Sequence, residues 1–185
     1  NDILDLSRIE SGRFELADGL LDLGDLIDSA LRLIQPRLEI AGLSLTRRLA
    51  AEPLHIRADA RALKRILLNL LSNAAKFTMP GGAVTLSSAL LATGEVKIAV
   101  ADSGIGIEPA AMEKILQPFG QADSSLTRSF EGAGLGLPLV KSMIEMHGGR
   151  LVLDSTPGAG TRVAIILPAR RMVPPPSPAR RPFSG

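Results

Sequence analysis

The stretch Asp59–Phe77, DARALKRILLNLLSNAAKF, allows few local solutions. Leu63, Ile66, Leu67, Leu70, Ala74 and Phe77 recur at helical spacing, and Asp59 is a good N-cap, so a long helix from Ala60 to about Phe77 is predicted. At about 100° per residue with Asn69 as zero, Asn73 falls near 40° and Lys76 near −20°, while the apolar set occupies roughly 60–160°. Two amides and an ammonium therefore share one stripe on the shoulder of the buried face. Such a stripe is either a boundary wetted by solvent or a polar cluster facing a ligand. In the second case an Asn carbonyl suits Mg²⁺, which takes few protein ligands and completes its shell with phosphate and water. Lys76 would then offer a point charge to phosphate.

Composition narrows the rest. With 185 residues, 45% apolar, the chain is long enough for one domain with a real core. Aromatics are 3%, all Phe, so the core must be aliphatic and base stacking on aromatic platforms has little material. No cysteine is present, which excludes disulfides, thiolate metal sites and a cysteine nucleophile. The two histidines, His55 and His147, are too far apart in sequence to suggest a metal cluster. No apolar run approaches the roughly 20 residues of a membrane span. From Ala169 onward four arginines and no acid contribute +4 to a net charge of +2, leaving −2 on the remainder. The basic character thus belongs to a tail, and a nucleic-acid partner is not expected.

Along the chain, Asn1 to about Gly12 reads as the end of a helix, marginal alone and therefore expected to have lost an N-terminal partner. A connector with a turn at Asp18-Gly19 follows, then a helix Leu23–Ile40 that Pro36 should bend or shorten. Short strands are expected at Leu43–Leu49 and Leu54–Ala58 around a turn at Glu52-Pro53, and longer ones at Val84–Leu90 and Val96–Asp102. A short helix should start at Pro109, and 117–134 reads as a long functional loop. A helix from about Leu135 to His147 and a hairpin of Arg150–Ser155 with Thr161–Leu167 close the body. The order predicts an α+β fold: a two-layer α/β sandwich, a mixed sheet with helices on one face.

Three further segments carry chemistry. Asp102-Ser-Gly-Ile-Gly-Ile107 follows a strand; its carboxylate can accept from an exocyclic amine, and Gly104 and Gly106 let backbone approach a flat ligand. Alone it also reads as a simple turn. Glu131-Gly132-Ala-Gly134-Leu-Gly136-Leu137 opens a helix, where free N–H groups favour phosphate. No GK[ST] occurs, so a Walker loop is excluded, and no strand directly precedes these glycines, as a Rossmann fingerprint requires. Gly158-Ala-Gly160-Thr161 is by itself a hairpin turn.

In order and spacing these segments resemble the catalytic ATP-binding domain of sensor histidine kinases, within the superfamily shared with gyrase, Hsp90 and MutL. Asn69–Phe77 resembles the N box, Asp102–Ile107 the G1 box, Pro118-Phe119 the F box and Gly132–Leu137 the G2 box. Ile3–Gly12 is similar to the end of the dimerisation helix. The resemblance implies residues 1–17 as the end of the dimerisation and phosphoacceptor domain and 18–168 as the catalytic domain, with 169–185 a disordered basic tail. It implies ATP and Mg²⁺ as ligands. Asn73 would bind the metal, and Lys76 and Arg128 would touch phosphates; with Asn69 these two would be the catalytic set. Asp102 would hold the adenine amine with Thr161 near it, Gly104, Gly106 and Ile107 beside them, and Phe77 flanking the base. Gly132, Gly134 and Gly136, with Leu135 and Leu137, would wrap the triphosphate, and Phe119 would anchor the far edge of the lid.

Asn69 stands where ATPase relatives carry a general-base Glu, and a neutral amide cannot take up a proton as a carboxylate does. That favours phosphoryl transfer to a protein acceptor. The phosphoacceptor box is absent; His55 has no acid beside it, and His147 reads as a cation or cap at a helix end. Ala133 replaces a family Thr, and Pro138 is compatible with a first helical turn. The implied partners are a phosphoacceptor His domain, a response-regulator receiver and, in the parent, a second copy. The implied setting is a cytoplasmic domain of a parent that can be membrane-associated. The alternatives are a nucleotide-binding scaffold without kinase activity, or an ATPase or protein-serine kinase of the same superfamily.

Overall fold

The computed structural model describes residues 2–120 and 134–174. The elements are α1 (Asp2–Glu10), β1 (Asp18–Asp22), α2 (Leu23–Ile40), β2 (Ser44–Arg48), β3 (His55–Asp59), α3 (Ala60–Phe77), β4 (Ala83–Leu90) and β5 (Val96–Asp102). They continue with α4 (Gly136–Met146), β6 (Arg150–Thr156), β7 (Gly160–Leu167) and β8 (Met172–Val173). Five strands form one mixed sheet in the order β2-β4-β5-β7-β6, with β2 parallel to β4 and the other pairs antiparallel. A smaller sheet has the order β1-β3-β8. Helices α2, α3 and α4 pack side by side against the larger sheet. This is the expected mixed sheet with helices on one face.

Strand alternation explains which face the helices cover. Val96, Ile98 and Val100 of β5, Val163, Ile165 and Leu167 of β7, and Val84 and Leu86 of β4 all belong to one buried apolar cluster with Leu63, Ile66, Leu67 and Leu70 of α3. Full burial of each such side chain stabilises by about 1.5–3 kcal/mol. No helix among the described residues is long and apolar enough to cross a membrane.

Helix starts follow the sequence. Asp59 caps α3, its Oδ1 accepting from Arg61 N–H at 2.8 Å and Ala62 N–H at 3.0 Å, and its Oδ2 from Ala17 N–H at 2.9 Å. Burial raises this carboxyl, but the three backbone donors outweigh it and hold the group below its ordinary value. Asp22 caps α2 through Asp25 N–H at 3.1 Å.

Several expectations need correction. Pro36 does not shorten α2, which runs through to Ile40. Pro36 and Arg32 are both exposed, so water reaches the carbonyl that the missing N–H leaves open. Asp18-Gly19 is not a turn but the start of β1, paired with Asp59 and Ala58; tertiary pairing overrides the local signal. The segments on either side of Glu52-Pro53 enter different sheets. The helix expected at Pro109 is two 3₁₀ turns, Pro109–Ala111 and Lys114–Leu116.

Residues 169–173, assigned to the basic tail on composition, are part of the body. Ala169–Arg171 forms a 3₁₀ turn, and β8 pairs antiparallel with β3. Arg171 is 13% exposed and bridges three elements. Its Nη1 donates to Arg57 O at 2.6 Å and to Asp18 at 2.9 Å, and its Nε donates to His147 O. His147 stands at the C-cap of α4 as expected, but it is fully buried and not a cation. Its Nδ1 donates to Met143 O at 2.7 Å and its Nε2 accepts from Asp59 N–H at 3.2 Å. Both nitrogens are satisfied only in the neutral ring, and burial depresses its pKa.

Helix α1 finds a partner within this chain. Leu6 is buried, α1 lies against α4, and Arg65 of α3 pairs with both Asp2 and Asp5.

Candidate functional site

The apolar face of the larger sheet ends in a polar row. On β5 the inward series Ile98, Val100 continues to Asp102; on β7 Ile165, Val163 continues to Thr161; on β6 Leu151, Leu153 continues to Ser155. Register places Asp102 opposite Thr161 and Thr161 opposite Ser155, so the three side chains stand in line on the helix-facing side.

Asp102 is held from one side. Its Oδ1 accepts from Gly104 N–H at 2.8 Å and Thr161 N–H at 3.3 Å, while Oδ2 has no hydrogen-bond partner among the described residues. Burial raises its pKa, and the two N–H groups pull against that rise. Ser155 Oγ accepts from Ile107 N–H at 2.9 Å, lies 3.0 Å from Gly160 O and 2.8 Å from Thr161 Oγ1. Sequence reading missed Ser155. The signal was the alternation Leu151, Leu153, Ser155 beside Thr161.

Two glycines make the close approaches possible. A Cβ on Gly104 would sit 2.3 Å from Phe77 O, and one on Gly106, at φ +71°, would sit 2.1 Å from Thr156 O. Ile105 N–H donates to Phe77 O at 3.1 Å, which ties the Asp102–Ile107 loop to the end of α3.

The other end of the site is where α4 begins. A Cβ on Gly136 would lie 3.6 Å from Asn69 Oδ1 and 3.7 Å from Asn73 Nδ2, so the first residue of α4 faces both amides of α3. Asn69 Nδ2 is buried with no hydrogen-bond partner among the described residues. No side chain among the described residues caps α4, and Pro138 sits in its first turn as expected. Gly134 is left-handed at φ +67°, Leu135 is buried and Leu137 packs on the core. Lys76 Nζ lies 4.9 Å from the Phe77 ring centroid, and both side chains are half-buried.

Thus α3 is a shared wall: Asn69 and Asn73 meet the start of α4, and Phe77 meets the Asp102 loop. Phe119 is not drawn in. It is 66% exposed, with a left-handed φ of +60°. Arg128, Gly132 and Ala133 lie outside the described residues. No group of three or more His, Cys, Asp or Glu able to hold a metal occurs among the described residues.

Residues 58–171, which span α3, the polar row and α4, match the family described as histidine kinase-, DNA gyrase B- and HSP90-like ATPase. The chain belongs to that family. Among curated relatives of this ATPase family, histidine protein kinase DivJ of Caulobacter vibrioides is 44% identical over 168 residues, covering 91% of this chain and 28% of DivJ. The chain therefore spans little more than a quarter of that relative. Among solved structures, full-length ShkA in complex with AMPPNP superposes with a TM-score of 0.81 at 32% identity, covering 91% of this chain and 34% of ShkA. The catalytic domain of histidine kinase ThkA gives 0.71 at 25% identity, covering 84% of this chain and 97% of that one.

Proposed function

We propose that the chain is the ATP-binding catalytic domain of a sensor histidine kinase, transferring the γ-phosphoryl group of ATP to a histidine outside these residues. One observation carries the reading: along α3, an amine-accepting end and an anion-accepting end stand side by side. Asn73 and Phe77 are four residues apart, about 6 Å along the helix. At the base end, Asp102 Oδ2 accepts the exocyclic amine of adenine, with Thr161 beside it and Phe77 on the flank. Gly104, Gly106 and Ile107 supply close backbone. At the phosphate end, the uncapped first turn of α4 presents free N–H groups to anionic oxygens. Gly136 and Leu137 open that turn, with Leu135 at its N-cap and left-handed Gly134 just before it. Gly132 and Arg128 join them in this reading, and Phe119 marks the lid's far edge.

The residues present suit Mg²⁺ bound together with a triphosphate. Asn73 offers one amide oxygen, and among the described residues Asn69 is a buried amide with an unused donor and no acidic cluster competes. A single protein oxygen, with phosphate and water completing the octahedron, is how Mg²⁺ is commonly held. Such an ion would neutralise charge on the phosphate oxygens. Lys76 adds a point charge there if it leaves the Phe77 ring.

The chemistry follows from what Asn69 lacks. An amide takes up no proton, so water at this position is not deprotonated. A neutral imidazole nitrogen brings its own lone pair and needs no base. The new P–N bond forms as the β–γ bridging P–O bond breaks and ADP leaves, with catalysis by positioning and charge stabilisation. The donor of that imidazole is a phosphoacceptor domain of the parent, which dimerises and passes the phosphoryl group to a receiver. Residues 1–17 end the dimerisation helix in this reading. The match to a solved catalytic domain over 84% of the chain supports the assignment of the remainder.

The test supplies the chain with γ-labelled ATP and a separate phosphoacceptor domain. Acid-labile, base-stable label on the acceptor, lost in Asn73→Ala, is the expected result. Absence of Mg²⁺-dependent ATP affinity up to about 1 mM, the upper end of ordinary substrate ranges, overturns the reading.

A further inference from the structure

The hydroxyl pair at the end of the polar row fixes the direction of its own protons. Ser155 Oγ has one proton and two lone pairs. Ile107 N–H, at 2.9 Å, can only donate to it, which uses one lone pair. Gly160 O, at 3.0 Å, can only accept from it, which uses the proton. One lone pair is left for Thr161 Oγ1 at 2.8 Å, so the Thr161 hydroxyl must be the donor in that contact. Thr161 has then spent its only proton toward Ser155. Away from Ser155, Thr161 Oγ1 can only accept.

From this we infer that Ser155 is a positioning residue for base selection: by taking the Thr161 proton it turns Thr161 into a second acceptor beside Asp102. The inference rests on the proposed binding of adenine at Asp102. With Oδ2 of Asp102 open and Thr161 acceptor-only, this end of the site presents lone pairs on neighbouring strands. A 6-amino purine meets them with N–H groups, directly or through a water. A purine with hydrogen at C6 brings no N–H to the same place and leaves partly buried acceptors unpaired, which is costly. Ser155 reaches the base only through Thr161. It also holds the Asp102–Ile107 loop through Ile107, so the junction fixes two parts of the site at once.

The chain is titrated with ATP and with purine riboside triphosphate in Mg²⁺ by calorimetry, because these differ in the 6-amino group alone. Wild type should prefer ATP. In Ser155→Ala the Thr161 hydroxyl is released to turn and donate, so the ATP preference should narrow about tenfold, the worth of one hydrogen bond. Ser155→Thr keeps the hydroxyl and should restore the wild-type ratio, which a mere packing role would not require. An unchanged ratio in folded Ser155→Ala overturns the inference and leaves adenine binding standing. Should Ser155→Ala fail to fold, Thr161→Val decides: loss of preference supports an acceptor at Thr161, and an unchanged ratio refutes it. If wild type binds neither nucleotide, the adenine reading itself falls, and this inference with it.

Discussion

Asp102 pays for its place in the fold. Its pKa is raised by burial, so the ionised carboxylate is less comfortable folded than unfolded. The sign follows: this group lowers stability at neutral pH and lowers it less as pH falls through its raised folded value. Asp102→Asn keeps an oxygen for Gly104 and Thr161 while removing the charge. The variant should therefore unfold no earlier than wild type in a thermal melt, yet bind ATP more weakly by roughly 1.5–3 kcal/mol, one charge-assisted hydrogen bond. Unchanged affinity would remove Asp102 from the site. In wild type, protonation removes the same acceptor charge. ATP affinity, followed by calorimetry, should then decline on acidification at a higher pH than an ordinary Asp would give.

At the scale of elements, His147 joins the end of α4 to the start of α3. Protonation of Nε2 would break the bond from Asp59 N–H, and the folded pKa is depressed below 6.5. Between that depressed value and about 6.5 the unfolded chain binds the proton and the folded chain does not, so stability rises with pH across this window. His147→Ala leaves a buried N–H unpaired and a cavity behind, and should cost about 2–4 kcal/mol in denaturant unfolding. Asp59→Ala should cost about 1–2 kcal/mol through the lost cap. Why α3 was legible and β1 was not follows from the same physics. Helix α3 carries its cap, its period and its amide stripe within nineteen residues, all readable locally. Strand β1 begins with Asp-Gly, a turn signal, and exists because β3 pairs with it across some forty residues. Asp102 and Thr161 were legible as motif residues. Ser155 was not, because its partners come from Ile107 and the far side of a hairpin. Phe119 had a motif behind it, yet its side chain faces solvent.

The whole molecule is closed by its last described strand. Arg171 reaches β1, β3 and the end of α4 at once, although its neighbours in sequence are tail-like in composition. A chain cut after Pro174 should melt at the wild-type temperature and bind ATP with wild-type affinity. A chain cut after Pro168 loses Arg171 and β8 and should melt lower, by about 2–4 °C for each kcal/mol lost. Equal melting of the two would show that the clasp contributes nothing. The order of strands also bears on synthesis. Strand β5 gains β4 at once as a hairpin, but its other neighbour, β7, follows only after α4 and β6. A nascent chain emerging from the ribosome carries an open β5 edge throughout that interval. On the proposed reading the groups that meet the base are split across the gap, Asp102 before it and Thr161 after it, so nucleotide would not help nucleate the fold; it would be captured only once translation has passed the β6–β7 hairpin.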